Sequence, residues 1–167
     1  KFNTTSNVVF GKKAFYFSDI VSVQLPYTTE ISRSMFSNCY HLKEVTFGKV
    51  GVISNGAFHS CHALTQVDLR GSGVRQIGEA AFASCTALTK VFLPASVEKI
   101  DDLVFGYCRS LQSITIDALN PPTLTGDIFF GLSADQIPNI YVPAISVSDY
   151  KKAAFWSTYA AKIHPKP

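Results

Sequence analysis

One pattern recurs along this chain at nearly constant spacing. An isoleucine is followed by a phenylalanine five residues on, a cysteine three beyond and a leucine three further, and two apolar residues alternating with polar ones close the unit. The clearest copy is Ile77–Leu93, IGEAAFASCTALTKVFL, and others open at Ile31, Ile53 and Ile100. A fixed period of this size dictates a solenoid, in which each repeat buries its apolar positions against the next and leaves columns of variable side chains outside. Phe36, Phe58, Phe82 and Phe105 form one such register, and Leu42, Leu64, Leu88 and Leu111 another.

Each copy ends in alternating apolar and polar residues rich in β-branched side chains, such as Val91 and Leu93 around Phe92. This reads as a short strand with one face buried, stacking into a parallel sheet. The Phe-x-x-Cys-x-x-Leu part has the spacing of about three that a turn of helix or 3₁₀ needs. Val50, Val74 and Val97 each precede the next Ile by three residues, and that piece is expected to add a second small strand. The fold class is therefore α/β, a β/α solenoid with short parallel strands and about 5–6 coils.

The four cysteines, Cys39, Cys61, Cys85 and Cys108, follow the repeat and contain no CxxC pair. Parallel side chains in one column do not suit the disulfide dihedral, so free buried thiols are expected.

The ends depart from the pattern. Residues 1–30 read as a degenerate first coil and N-terminal cap, with Ala14-Phe15 opening its turn, Phe17 in the cysteine slot and Val23–Pro26 as its strand. Residues 31–119 hold the four regular repeats. Residues 120–143 form a distorted last coil, with Pro121-Pro122 enforcing extended backbone, Leu132 in the cysteine slot and Ile140–Pro143 as the strand. Residues 144–167 form a C-terminal cap: Ser146 and Asp149 fit a capping box, opening a helix from Tyr150 to about Ile163 that carries Phe155, Trp156 and Tyr159. The whole reads as one domain. Lys1 in place of an initiator Met suggests a chain trimmed of a leader or cut from a longer protein.

The repeat resembles the BspA-like, or treponemal-type, leucine-rich repeats, a family common in surface proteins of anaerobic gut and oral bacteria. Ile77, Gly78, Ala81, Phe82, Cys85, Leu88, Val91, Leu93 and Pro94 carry the resemblance. The closing segment VPAISVSDYKKAAFWSTYAAKI is similar to that of Bacteroides-type members, except that Phe155 stands where a small residue or Gly is expected. The resemblance implies a curved right-handed solenoid, an extracellular or cell-surface location, a role in adhesion or binding, and no shared catalytic site.

The net charge of +3 is spread along the chain. The longest basic runs, Lys12-Lys13 and Lys151-Lys152, lack an interleaved aromatic platform, which argues against nucleic acid. No apolar run reaches the roughly 18–20 residues of a membrane span. His59-Ser60-Cys61-His62 is the densest reactive cluster, but Cys61 is expected to face the core and its neighbours solvent. Asp101-Asp102 read as solvated turn carboxylates, His41 and His164 as isolated surface residues, and Asn3-Thr4-Thr5 as a sequon silent in a bacterium. No catalytic, metal or cofactor site is expected.

The outer positions of the strands remain. The residue between the two core positions gives Gln24, Thr46, Asp68, Phe92, Thr115 and Tyr141, and the residue before the first gives Ser22, Glu44, Gln66, Lys90, Ser113 and Asn139. Strand stacking would set their spacing at about 4.8 Å. Phe92 and Tyr141 could stack on a sugar or anchor a protein side chain, although Tyr141 could equally pack on the C-terminal helix. The expected binding face is Thr46, Asp68, Lys90, Phe92, Thr115 and Tyr141. The expected function is a non-enzymatic, exported bacterial leucine-rich-repeat module, monomeric, recognising a protein or glycan of a host surface. The alternative is a structural spacer in a larger cell-surface protein.

Overall fold

The computed structural model describes residues 10–167. The sequon at Asn3 and the first nine residues of the N-terminal cap lie outside them. The chain winds through successive coils whose strands stack in parallel. These are β1 (Ser22–Ile31), β2 (Glu44–Ile53), β3 (Gln66–Asp68), β4 (Gln76–Ile77), β5 (Lys90–Leu93), β6 (Lys99–Ile100), β7 (Ser113–Ile116), β8 (Thr123–Leu124), β9 (Asn139–Val142) and β10 (Ile163–Pro165). They make two five-stranded sheets, β1-β2-β4-β6-β8 and β10-β9-β7-β5-β3.

The predicted second strand exists, but only from the third coil onward. In the first two coils it merges with the first strand into one ten-residue element. Chain length explains the difference. Eight residues separate Val23 from Ile31 and Val45 from Ile53, and a straight strand spans that distance, whereas ten separate Val67 from Ile77. The surplus forms a turn in which Gly71 (φ 76°) and Gly73 (φ 88°) adopt backbone that side chains disfavour. Ser72 closes it, its hydroxyl donating to the Leu69 carbonyl at 2.6 Å and accepting from the Val74 amide at 3.2 Å.

The Phe-x-x-Cys arms are strings of tight turns in place of the expected helical turn. Residues such as Ser34, Asn38, Ser60 and Ser84 sit in the left-handed region, which turns alternate amides outward. Phe36, Phe58, Phe82 and Phe105 thus donate to the next coil, to Ala57, Ala81, Val104 and Ile128 carbonyls, while each cysteine amide donates back to its own phenylalanine. A helix would have kept these bonds internal; here they tie coil to coil.

The core is a stack. Phe15, Phe36, Phe58 and Phe82 lie face to face with centroids 5.2 Å apart, and the spacing opens to 6.0 Å at Phe105 and 6.2 Å at Phe129. Stacking Phe15 on Phe36 puts Ser18 in the cysteine slot. Phe17 is instead an exposed turn residue with φ 58°, 56% exposed. Phe47, expected in the core, is half-buried, edge-on to Phe58.

All four cysteines are buried free thiols. Each donates to the carbonyl of a phenylalanine in the preceding coil: Cys39 to Phe15 at 3.0 Å, and Cys61, Cys85 and Cys108 to Phe36, Phe58 and Phe82 at 3.2 Å. A small apolar group with one weak donor meets that demand.

The C-terminal segment is less helical than expected. A short 3₁₀ turn, Ala144–Ser146, leads into α1 (Val147–Lys152), and a second 3₁₀ stretch covers Trp156–Lys162. Ser146 has right-handed helical backbone (φ −98°, ψ −7°) where a cap is extended, and its buried side chain makes no capping bond, so the capping box does not form. The break falls at Phe155, whose φ of 62° explains why glycine suits that position. Three buried aromatic side chains tie this segment to the last coil: Tyr150 Oη donates to the Ala118 carbonyl (2.9 Å), Trp156 Nε1 to that of Pro122 (2.7 Å) and Tyr159 Oη to Asp127 (2.7 Å). The chain then adds β10 beside β9, closing the sheet with a strand as well as with helix.

Candidate functional site

Alternation along the short strands turns one set of side chains inward and leaves the other on an outer face. In β5, Val91 and Leu93 are buried, Phe92 is half-buried and Lys90 exposed. Register aligns Asp68, Phe92, Thr115 and Tyr141 as one column, and Gln66, Lys90, Ser113 and Asn139 as the next. Tyr141 is half-buried. Its neighbour in register is His164 of β10, with ring centroids 6.0 Å apart, so His164 extends the column and is half-buried.

The most structured part of this face involves a residue that periodicity did not single out. Arg70 binds Asp68 through Nη2–Oδ2 at 2.6 Å and Nε–Oδ1 at 3.0 Å, and its guanidinium carbon lies 4.2 Å from the Phe92 ring centroid. Phe92 is therefore roofed by a cation that Asp68 holds in place. The same bonds pull the Asp68 carboxyl below its ordinary pKa. Arg70 lies one residue beyond the buried Leu69, where the strand has ended; its separation of two from Asp68 was the available signal.

Thr46 stands apart. Along the edge of the sheet one amide per coil donates to the coil before it: Lys43 to Val21, Thr89 to Thr65, Gln112 to Thr89 and Asn139 to Gln112. The equivalent bond from Thr65 to Lys43 is missing, and no ladder joins β2 to β3. β2 instead pairs with β4 through Val52 and Ile53. The straight second coil and the bowed third diverge here, opening a groove of about 590 Å³ floored by Val45 and Phe47, with Thr46, Gln66, Asp68 and Arg70 along it.

The reactive groups elsewhere do not converge. Cys61 is fully buried, and its thiol is bonded to the Phe36 carbonyl. His59 Nδ1 meets Ser60 Oγ at 2.9 Å, and burial lowers the His59 pKa. His62 stacks on Tyr40 on the outer surface, and His41 is exposed. Asp101 and Asp102 are half-buried, not freely solvated. Asp101 pairs with Lys99 at 2.6 Å and accepts from Gln76 and Thr125, and Asp102 accepts the Leu103 amide. Among the described residues, no group of three or more His, Cys, Asp or Glu side chains is placed to hold a metal ion. No helix among them is long and apolar enough to cross a membrane.

Parallel coils, a stacked core and a polar strand face together define a leucine-rich repeat protein. Residues 8–133 match the BspA type leucine rich repeat region in six copies, and the chain belongs to that family. Among solved structures it is similar to a leucine-rich repeat protein from Bacteroides ovatus, with 27% identity and a TM-score of 0.66, covering 94% of this chain and 39% of that one. It also shares the fold of the T. pallidum leucine-rich repeat protein, with 23% identity and a TM-score of 0.62, covering 92% of this chain and 75% of that one. No curated protein sequence matches significantly.

Proposed function

We propose that this domain is a non-enzymatic binding module of an exported bacterial surface protein, and that it engages a protein partner through the strand face between β2 and β5. The carrying observation is the opening between β2 and β3. It sets a strand edge with unused backbone beside the preorganised Asp68-Arg70-Phe92 group, so that hydrogen bonding and an aromatic-cation anchor stand together. Lys90, Thr115 and Tyr141 continue the same face, and Thr46 forms the opposite bank of the groove. Unpaired backbone favours an extended peptide segment over a sugar in this groove. Export and surface display are supported by the family, whose members are typically surface or secreted bacterial proteins.

Binding to an array of purified host extracellular-matrix proteins and glycans tests this reading. The Asp68→Ala/Phe92→Ala double variant should lose roughly tenfold or more in affinity for a protein partner while keeping the wild-type unfolding midpoint. Unchanged binding would reject the strand face as the site.

A further inference from the structure

An open groove of about 770 Å³ lies on the turn side of the first four coils, away from the strand face. Lys12, Lys13 and Arg33 occupy one end of it, and Glu79 is its sole carboxylate. None of the three cations meets a carboxylate among the described residues: the ion pairs there use Arg70, Arg75, Lys99 and Lys166. The nine residues preceding Phe10 contain no Asp or Glu. With three cations against one carboxylate, the lining carries a net positive charge.

The rest of its lining includes the hydroxyl and amide side chains of Ser34, Ser37, Asn38 and Asn55 and the His59 ring, with Gly56 and Ala80 between them. Along its margin runs a ridge of exposed rings. Tyr16 meets Phe17 at 4.6 Å, Phe17 meets Tyr40 at 5.7 Å, and Tyr40 stacks on His62 at 5.0 Å. Tyr16 belongs to both features, and the Lys13 ammonium lies 4.9 Å from its ring centroid. The coil-to-coil backbone bonds run unbroken here. Ser34, Phe36 and Asn38 donate to Asn55, Ala57 and His59, and Gly56, Phe58 and Ser60 donate to Glu79, Ala81 and Ala83. A peptide strand would find no open edge, so recognition must come from side chains.

We infer that this turn-side groove binds an acidic oligosaccharide. Lys12, Lys13 and Arg33 hold its carboxylate or sulfate groups, the serine and asparagine side chains bond its hydroxyls, and the Tyr16-Phe17-Tyr40 ridge packs against sugar faces. This site is separate from the strand face and does not depend on it.

The test is calorimetric titration of the full chain with hyaluronan oligosaccharides (carboxylate), heparin oligosaccharides (sulfate), neutral dextran and poly-glutamate. Binding of at least one acidic glycan, and not of dextran, is expected. The Lys12→Gln/Lys13→Gln/Arg33→Gln variant should weaken it about tenfold or more. A control removing equal charge elsewhere, Arg109→Gln/Lys151→Gln/Lys152→Gln, should change it less than about twofold. Tyr40→Ala should weaken glycan binding severalfold and leave any residual poly-glutamate binding unaltered. The inference is overturned by absence of glycan binding, by equal losses in the two charge variants, or by poly-glutamate binding as tightly as glycan. Circular dichroism of each variant, whose altered side chains are all exposed, confirms that the fold is retained.

Discussion

The first two coils and the third obey the same core pattern yet build different surfaces. In β1 and β2 an eight-residue interval carries the chain straight from one core column to the next, and the two strands pair along nearly their whole length. In the third coil the Gly71-Ser72-Gly73 turn bows the chain outward, and β3 and β4 become separate short strands. The cores stay in register, since Phe58 and Phe82 remain 5.2 Å apart. Divergence is therefore confined to the strand side, where the solenoid opens its groove. A repeat protein can create a site by changing the length between two fixed core positions without altering either.

The largest effect expected concerns the stack that holds both regions together. Phe82→Ala, at the point where ring spacing begins to widen, should cost about 3–5 kcal/mol by urea unfolding. A loss no greater than that of a surface substitution would break the common register. Next comes the opening itself. In native-state hydrogen exchange the Thr65 amide should exchange about 100-fold faster than the bonded Thr89 amide one coil on; equal protection would mean that β2 and β3 pair in solution.

A third contrast is between thiols near the first coil and those deeper in. Burial raises Cys39 from 9.0 to about 11 and Cys108 from 9.0 to about 12. The folded state thus holds these protons when the unfolded chain has released them. Their stabilisation is complete below about pH 9 and declines as pH rises through 11 and then 12. Melting temperature should fall progressively above pH 9, and Cys39 should be the first alkylated by iodoacetamide. Simultaneous reaction of all four thiols would indicate global unfolding. The smallest effect is on the outer face: Lys90→Ala should change stability by no more than about 0.5 kcal/mol.

Much of the fold could be read from spacing. The phenylalanine, cysteine and leucine columns, the buried Val-x-x-Ile pieces and the free thiols all follow from a period that repeats its core residues, because an in-register stack admits one burial pattern. Errors cluster where the period fails. Spacing puts Phe17 in the cysteine slot because the first coil lacks a cysteine to fix its phase. Ser146 fits a helix cap in sequence, but a local motif carries no information about the 3₁₀ turn before it, which sets its backbone helical. The strand-face column was also legible as alternation, and Arg70 escaped it because it lies past the strand end, brought back over Phe92 by the turn that follows.

What the sequence by itself determined is the repeat: which side chains enter the core, in what order, and that coils stack in parallel. Only the tertiary structure decided where that stack parts and which surface groups meet. Arg70 reaches Phe92, Thr65 loses its rung, and Lys12, Lys13 and Arg33 share a groove through contacts between coils about one repeat apart. Such contacts depend on how far each coil bows, and two residues of surplus length are enough to change that.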